Sequence, residues 1–366
     1  MKNDKDYRII DCDVHANQSG KLNHPDYLRF IPKNYHSALE MSMAGMPMLG
    51  YGSPIGVKRR DCRAESVVDI MDEHMNRYGI DIGVLQTLPG MYFSLIHSID
   101  LANILCAAAN DLLVADFLSY SPRLLGSICV NPNDPAAAAA EIRRMARNPQ
   151  MAQVLVTGEA MHLYGHRSYY PIYEACVEND LVFAIHPGRE GAYGSSTPVG
   201  RPSSYFEWHN ILPLTFMAHA NSMVLEGVFE RFPTLKVLLA EGGYTWMAHL
   251  MWRMDKNFKA LRVSTPWLKE APSEYLLRHV RLTTQPIEEC DNPRHVLAML
   301  EVIQGHRTLC FSSDFPHWDF DDPLRIFPSI VPEETRRRIL WDNAVELYGC
   351  RLKNYLATLE KSHEID

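Results

Sequence analysis

Short runs rich in Val, Ile and Leu alternate with longer amphipathic segments from near the N-terminus to the last fifty residues, and this alternation limits the folds open to the chain. It is the pattern of strands buried on both faces and separated by helices, and so of a parallel sheet. Eight runs qualify as strands: 8–14, 83–88, 124–130, 153–157, 181–185, 235–240, 280–284 and 308–311. Helices are predicted over 66–78, over 136–147 behind Asn133-Asp134-Pro135, and over 332–347. Eight right-handed β/α units close most naturally into an α/β fold of the (β/α)8 TIM-barrel type. An open doubly wound sheet is the alternative, but no Gly-x-Gly-x-x-Gly follows the first strand.

A barrel of this kind runs past 250 residues as one domain, so 366 residues are read as a single barrel over 1–350 with a charged tail over 351–366. Two connections are longer than a strand-to-helix link needs. Residues 16–61 carry Met41-Ser42-Met43-Ala44-Gly45-Met46-Pro47-Met48, and residues 188–204 are rich in Gly, Ser and Pro. Both leave C-terminal strand ends, the face where such barrels keep their sites, and are read as a lid-like insertion and a pocket wall. The methionine cluster suits an apolar cover or a subunit contact, and an oligomer is expected, a homodimer or a pairing with a paralogous subunit.

Composition narrows the partners. Hydrophobic residues make up 46% and charged residues 22%, the balance of a globular protein with a large core. The net charge of -8 is scattered and no Lys/Arg block tracks a phosphate backbone, so a small molecule is expected rather than nucleic acid. The eight cysteines occur singly, without a Cys-x-x-Cys pair, and the opening Met1-Lys2-Asn3-Asp4-Lys5-Asp6 has no apolar signal core. No run is expected to approach a membrane span, and a cytoplasmic location is expected.

Several strand ends carry side chains able to bind metal. The first is Ile9-Ile10-Asp11-Cys12-Asp13-Val14-His15, where residues two apart face the same way. Asp13 and His15 can share an ion at the barrel mouth, with Asp11 one step deeper. The fifth strand ends at His186, which Pro187 and Gly188 leave at the rim. The sixth ends in Leu239-Ala240-Glu241-Gly242-Gly243, and the eighth in Phe311-Ser312-Ser313-Asp314-Phe315-Pro316-His317. Three alternating polar residues on the first strand, facing a barrel core, are costly unless something neutralises them, as a metal would. Of the other histidines, His317 stands beside Asp314 as a ligand, a neighbour of one or a substrate contact. His74, His209, His219 and His249 read as packed or surface residues. Tyr244 and Trp246 read as pocket wall or core, and Arg167 and Arg201 as loop candidates for a substrate carboxylate.

Together these residues resemble the amidohydrolase superfamily, in particular its amidohydrolase-2 branch. That branch includes metal-dependent hydrolases and non-oxidative decarboxylases of aminocarboxymuconate semialdehyde and hydroxybenzoates. The resemblance runs from Ile9 to about Tyr348, through Asp13-x-His15, Ile185-His186-Pro187, Gly227-Val228-Phe229-Glu230-Arg231-Phe232-Pro233, Ser313-Asp314-Phe315-Pro316-His317 and Asn343-Ala344. It implies a divalent ion held by Asp13, His15, His186 and Asp314. The usual first-strand motif is His-x-His, with an acidic first residue in some decarboxylases. Many members carry a sixth-strand His where this chain has Glu241, so a mechanism relying on that His does not transfer.

Hydrolysis by metal-activated water, with Asp314 moving the proton and Glu241 as a further base or ligand, is the leading expectation. Three alternatives stand beside it. One is non-oxidative decarboxylation. Another is hydroxylation by a di-metal manganese or iron oxygenase, ions that the carboxylate-rich set of Asp13, Glu241, Asp314, His15 and His186 suits better than zinc; across these readings the expected cofactor is zinc, manganese or iron, one or two per chain. The last is an inactive barrel that serves as a structural partner.

Overall fold

A computed structural model of the protein describes residues 7–16, 28–36, 66–87, 93, 96–188, 200, 202 and 204–363. Eight strands form one sheet in chain order: β1 (Ile10–Ala16), β2 (Ile82–Thr87), β3 (Leu124–Cys129), β4 (Met151–Thr157), β5 (Val182–His186), β6 (Val237–Leu239), β7 (Val280–Thr283) and β8 (Leu309–Cys310). Every neighbouring pair is parallel. β8 and the segment after it return to β1. The Cys12 N–H donates to the Phe311 carbonyl at 3.0 Å, His15 N–H to Phe315 at 2.8 Å, and Asp314 N–H to Asp13 at 3.1 Å. The sheet is thereby a (β/α)8 barrel, and all eight sequence-read strands lie on it with ends shifted by a few residues.

Two apolar clusters divide the inside from the outside. Small and branched residues fill the barrel, among them Ile10, Cys12, Val84, Leu125, Ala184, Leu238 and Cys310. Ile9, Val14, Leu85, Val154, Phe183 and Leu239 face the surrounding helices. The helix Asn343–His363, broken at Gly349 with φ 59°, joins the inner cluster through Tyr348 and Leu352. The charged tail therefore contributes buried side chains, and the Tyr348 hydroxyl donates to Gln153 Oε1 at 3.0 Å.

Local chemistry sets the helix starts. Ser66 and Asp69 form a reciprocal capping box. Asp134 accepts from the Ala137 N–H ahead of Pro135, so the Ala-rich helix is Pro135–Met145. Against expectation, the stretch Ile99–Tyr120 is long and apolar enough to cross a membrane, with a mean hydropathy of 1.6. In the barrel it is a core helix with 61% of that window buried, which explains the composition without a bilayer.

His219, expected to be packed or exposed, is packed. Its Nδ1 accepts from the Tyr164 N–H at 3.1 Å and its Nε2–H donates to the Gly158 carbonyl at 2.7 Å, a pattern that needs the neutral ring. Burial lowers its pKa to about 4, against the pull of the Gly158 carbonyl. Between the unfolded value of about 6.5 and about 4, only the unfolded chain binds this proton, so stability falls as pH drops through that window. The cost is about 3 kcal/mol at the acid end. Urea midpoints at pH 7 and pH 4 should separate by less in His219→Gln, which keeps a donor and an acceptor but cannot titrate; an equal separation would refute this account.

Candidate metal centre

β1 does not alternate regularly. Asp11 pairs in register with Gly83 but Val14 with Leu85, so three residues of β1 span what two of β2 span. This bulge changes the phase of the strand. Ile10 and Cys12 point into the barrel and Val14 out of it, and Asp13 and His15 turn inward at the mouth. Asp11 is left on the outer face, which corrects the expectation that it lies on the ion's side one step deeper. There it accepts from His74 Nε2 at 2.7 Å, from the Ser313 N–H at 3.0 Å and from the Ser313 hydroxyl at 2.5 Å. His74, buried and stacked on Phe315 with ring centroids 4.4 Å apart, is thus a tether between the helical segment Met71–Asn76 and the eighth strand end. Asp11→Ala strips these buried donors of their acceptor and should cost about 3–5 kcal/mol in urea unfolding. A loss below 1 kcal/mol would show the tether to be dispensable.

The remaining carboxylates and imidazoles come from strand ends. His186 closes β5, and its Nδ1–H donates to the Pro187 carbonyl at 2.7 Å, which turns Nε2 toward the barrel axis. Glu241 follows β6 and Asp314 follows β8. Both have left-handed backbones, φ 59° and 58°, a conformation that residues other than Gly, Asn and Asp rarely adopt, so the strain is greater at Glu241. The Glu241 N–H is fixed by the Thr283 hydroxyl at 2.9 Å. The two glycines after Glu241 are packing requirements. A Cβ on Gly242 would meet the Phe216 ring at 2.1 Å, and one on Gly243 would meet Glu288 Oε1 at 2.6 Å. Glu288 holds this turn by accepting from the Tyr244 and Thr245 N–H groups.

These side chains converge. His15 Nε2 is 2.8 Å from Asp314 Oδ1 and 3.4 Å from Asp13 Oδ1, and His186 Nε2 is 2.9 Å from Glu241 Oε2 and 3.4 Å from Asp13 Oδ2. Two overlapping sets have ligand atoms within 4.8 Å of one another: Asp13, His15, His186 and Glu241; and His15, Glu241, Asp314 and His317. Among the described residues, both oxygens of Asp13, both nitrogens of His15 and Nε2 of His186 are buried without a hydrogen-bond partner, despite those short separations. Lone pairs that approach one another with no proton aligned between them fit a shared cation. Three carboxylates and the imidazoles form a donor set suited to a divalent ion of the manganese, iron or zinc type.

The electrostatics agree. Burial pushes the Asp314 carboxyl up to about 7, against the pull of His317. Burial and then the Asp314 charge push Glu241 up to about 7. Burial and the neighbouring His317 hold His15 well below its ordinary value. For His317 burial acts downward, but Asp314, 2.7 Å from its Nδ1, wins and raises it to about 9.

Beyond the expected residues the structure adds a network. Gln285 Nε2 donates to Asp314 Oδ2 at 3.2 Å and to Asp319 Oδ2 at 2.8 Å, and His209 Nε2 lies 3.2 Å from that same Asp319 oxygen. His209 belongs to a rim of aromatic rings with Tyr205 and Trp318, whose indole N–H donates to the Tyr205 hydroxyl at 3.1 Å. Gln285 lies two residues past β7 and directly ahead of Pro286, a signal close to the His186-Pro187 that ends β5. Nothing in the spacing of His209 and Asp319 marks them as partners. Tyr244 belongs to the apolar core, and the Trp246 indole donates to the Gly242 and Gly243 carbonyls. Arg167 and His249 are exposed. Arg201, Met41–Met48 and most of 16–61 and 188–204 lie outside the described residues.

The gamma-resorcylate decarboxylase of Polaromonas sp. strain JS666 is 26% identical over 304 residues, covering 77% of this chain and 86% of that one. The 2-amino-3-carboxymuconate-6-semialdehyde decarboxylase of Dictyostelium discoideum is 23% identical over 364 residues, covering 90% and 92%. Among solved structures, a dihydroxybenzoic acid decarboxylase from Polaromonas sp. JS666 with bound manganese and the inhibitor 2-nitroresorcinol superposes with a TM-score of 0.66 at 20% identity, covering 93% of this chain and 97% of its own. The 5-carboxyvanillate decarboxylase of Novosphingobium aromaticivorans, complexed with manganese and a nitrobenzoic acid, gives 0.69 at 19% identity, covering 94% and 97%. The amidohydrolase family model matches residues 10–350, and the chain belongs to that family.

Proposed function

We propose that this protein is a metal-dependent, non-oxidative decarboxylase of a small aromatic carboxylate. The observation that carries the reading is the convergence of orphaned, buried ligand atoms of Asp13, His15 and His186 beside the hydrogen-bonded pair Asp314–His317. The decarboxylase names of its relatives favour this chemistry. Hydrolysis, the leading expectation from the sequence, has support only at the level of the family.

Asp13, His15, His186 and Glu241 would hold a divalent ion, which supplies a Lewis-acid anchor for a carboxylate and an adjacent oxygen, and leave Asp314 free of it. The rim of Tyr205, His209 and Trp318 offers flat apolar faces to an aromatic ring. Asp314 carries the proton. As the bond between ring carbon and carboxylate breaks, the electron pair stays on the ring carbon, takes the Asp314 proton, and CO2 departs. His317, whose side chain is 29% exposed, then returns a proton from solvent to Asp314.

The test is manganese-loaded protein supplied with 2,6-dihydroxybenzoate, 5-carboxyvanillate and related acids, with CO2 and dissolved oxygen followed together. One CO2 per arene formed and no oxygen uptake is expected; silence across such acids sinks the reading. Oxygen consumption would bring forward the second reading, an oxygenase, which the second ligand set of His15, Glu241, Asp314 and His317 favours because it leaves room for a further ion.

A further inference from the structure

Among the described residues, three glutamines are buried on the strands or strand ends of this barrel, and they differ in what they bond. Gln153, on β4, is satisfied at both ends: its Nε2 donates to the Ser127 hydroxyl at 2.9 Å and its Oε1 accepts from Tyr348. Gln285 gives its Nε2–H to Asp314 and Asp319 and leaves Oε1 without a partner. Gln86, near the end of β2, is fully buried and among the described residues has no partner at either Oε1 or Nε2.

The position of Gln86 follows from strand phase. Ile82 and Val84 belong to the inner cluster and Leu85 to the outer one, so Gln86 takes the next inward place. Its register partner on β1 is His15, one strand spacing of about 4.8 Å away. The amide therefore stands beside a candidate metal ligand at the barrel mouth, where β1 and β2 both end. A buried amide with neither end paired is rare in a folded protein, and next to a binding site it marks a place completed by ligand.

The amide also constrains what completes it. It offers a donor and an acceptor side by side in one plane. A simple anion satisfies the NH2 group and strands the oxygen; a cation does the reverse. A carboxylate with a hydroxyl on the adjacent carbon satisfies both. We propose that Gln86 is a substrate-recognition residue of this centre, its Nε2–H donating to the carboxylate and its Oε1 accepting from the neighbouring hydroxyl of an ortho-hydroxyaryl acid. This deepens the decarboxylase reading and rests on it.

The test measures binding of 2,6-dihydroxybenzoate and of benzoate, which lacks the hydroxyls, to manganese-loaded wild type, Gln86→Leu and Gln86→Glu by titration calorimetry. Wild type should prefer the hydroxy acid by about tenfold or more. Gln86→Leu should narrow the gap between the two affinities, leaving only the part that the ion's hold on the adjacent oxygen gives, while manganese content and melting temperature hold or rise, since it removes an unpaired buried amide. Gln86→Glu, which sets a carboxylate against the incoming one, should weaken both acids. Undiminished preference in Gln86→Leu, with CO2 release intact in wild type, overturns the role of Gln86 and leaves the decarboxylase reading standing. A fall in manganese content or in melting temperature would instead make Gln86 a ligand or a structural group, and overturns the role as well. If wild type binds neither acid, the substrate class falls together with the part given to Gln86.

Discussion

Asp314→Asn is expected to lower CO2 release by about 10²–10⁴-fold, the range typical of losing a positioned general acid. The variant is a clean one. Asn tolerates the left-handed backbone at this position, keeps the side-chain volume and can still accept from Gln285, so the fold has no reason to fail. What it cannot do is carry a proton between His317 and a ring carbon. The measurement is single-turnover CO2 release by manganese-loaded variant and wild type, with metal content determined on the same samples. A rate within threefold of wild type would remove Asp314 from the chemistry and return the proton to Glu241, a carboxyl of the same ligand set that burial also raises to about 7.

His15→Ala should have the second large effect, on the ion itself. His15 belongs to both overlapping ligand sets, so its loss removes a donor from either position an ion could take. Altering a residue that merely orients a ligand commonly costs 10–100-fold in metal affinity, and loss of a ligand should exceed about 100-fold. Elemental analysis after dialysis against a weak chelator should find wild type loaded and the variant depleted, with no turnover until metal is supplied in excess. A variant that retains a full complement of metal would show that His15 is not a ligand.

Much of the architecture was legible because parallel strands buried on both faces announce themselves as apolar runs, and all eight were found that way. Their ends were less exact, since β6 keeps only Val237–Leu239 of a longer apolar run. The amidohydrolase resemblance came from motif order and is borne out by the family match over 10–350. At the mouth, the strand-end rule picked out Asp13, His15, His186, Glu241 and Asp314, which the structure brings together. It misplaced Asp11 because strict alternation cannot anticipate a bulge, and a one-residue insertion reverses the facing of everything before it. His74 was read as an ordinary packed or surface residue for the same reason, its partner having been assigned to the wrong face. The link from Gln285 through Asp319 to His209 was invisible because it joins a strand end, a loop and a helix distant in sequence.

The left-handed backbones of Glu241 and Asp314 bear on how this protein would respond to laboratory evolution. Each of these residues sits in a conformation that glycine or asparagine would adopt more cheaply, and each is a buried carboxylate crowded by others. Substitutions that relax the two positions should therefore raise thermal stability in metal-free protein while abolishing turnover. A heat-challenge screen blind to catalysis would enrich such substitutions and drift toward a hardier, silent barrel. A library built for durability should hold these two codons fixed and look for its gains among the surrounding helices.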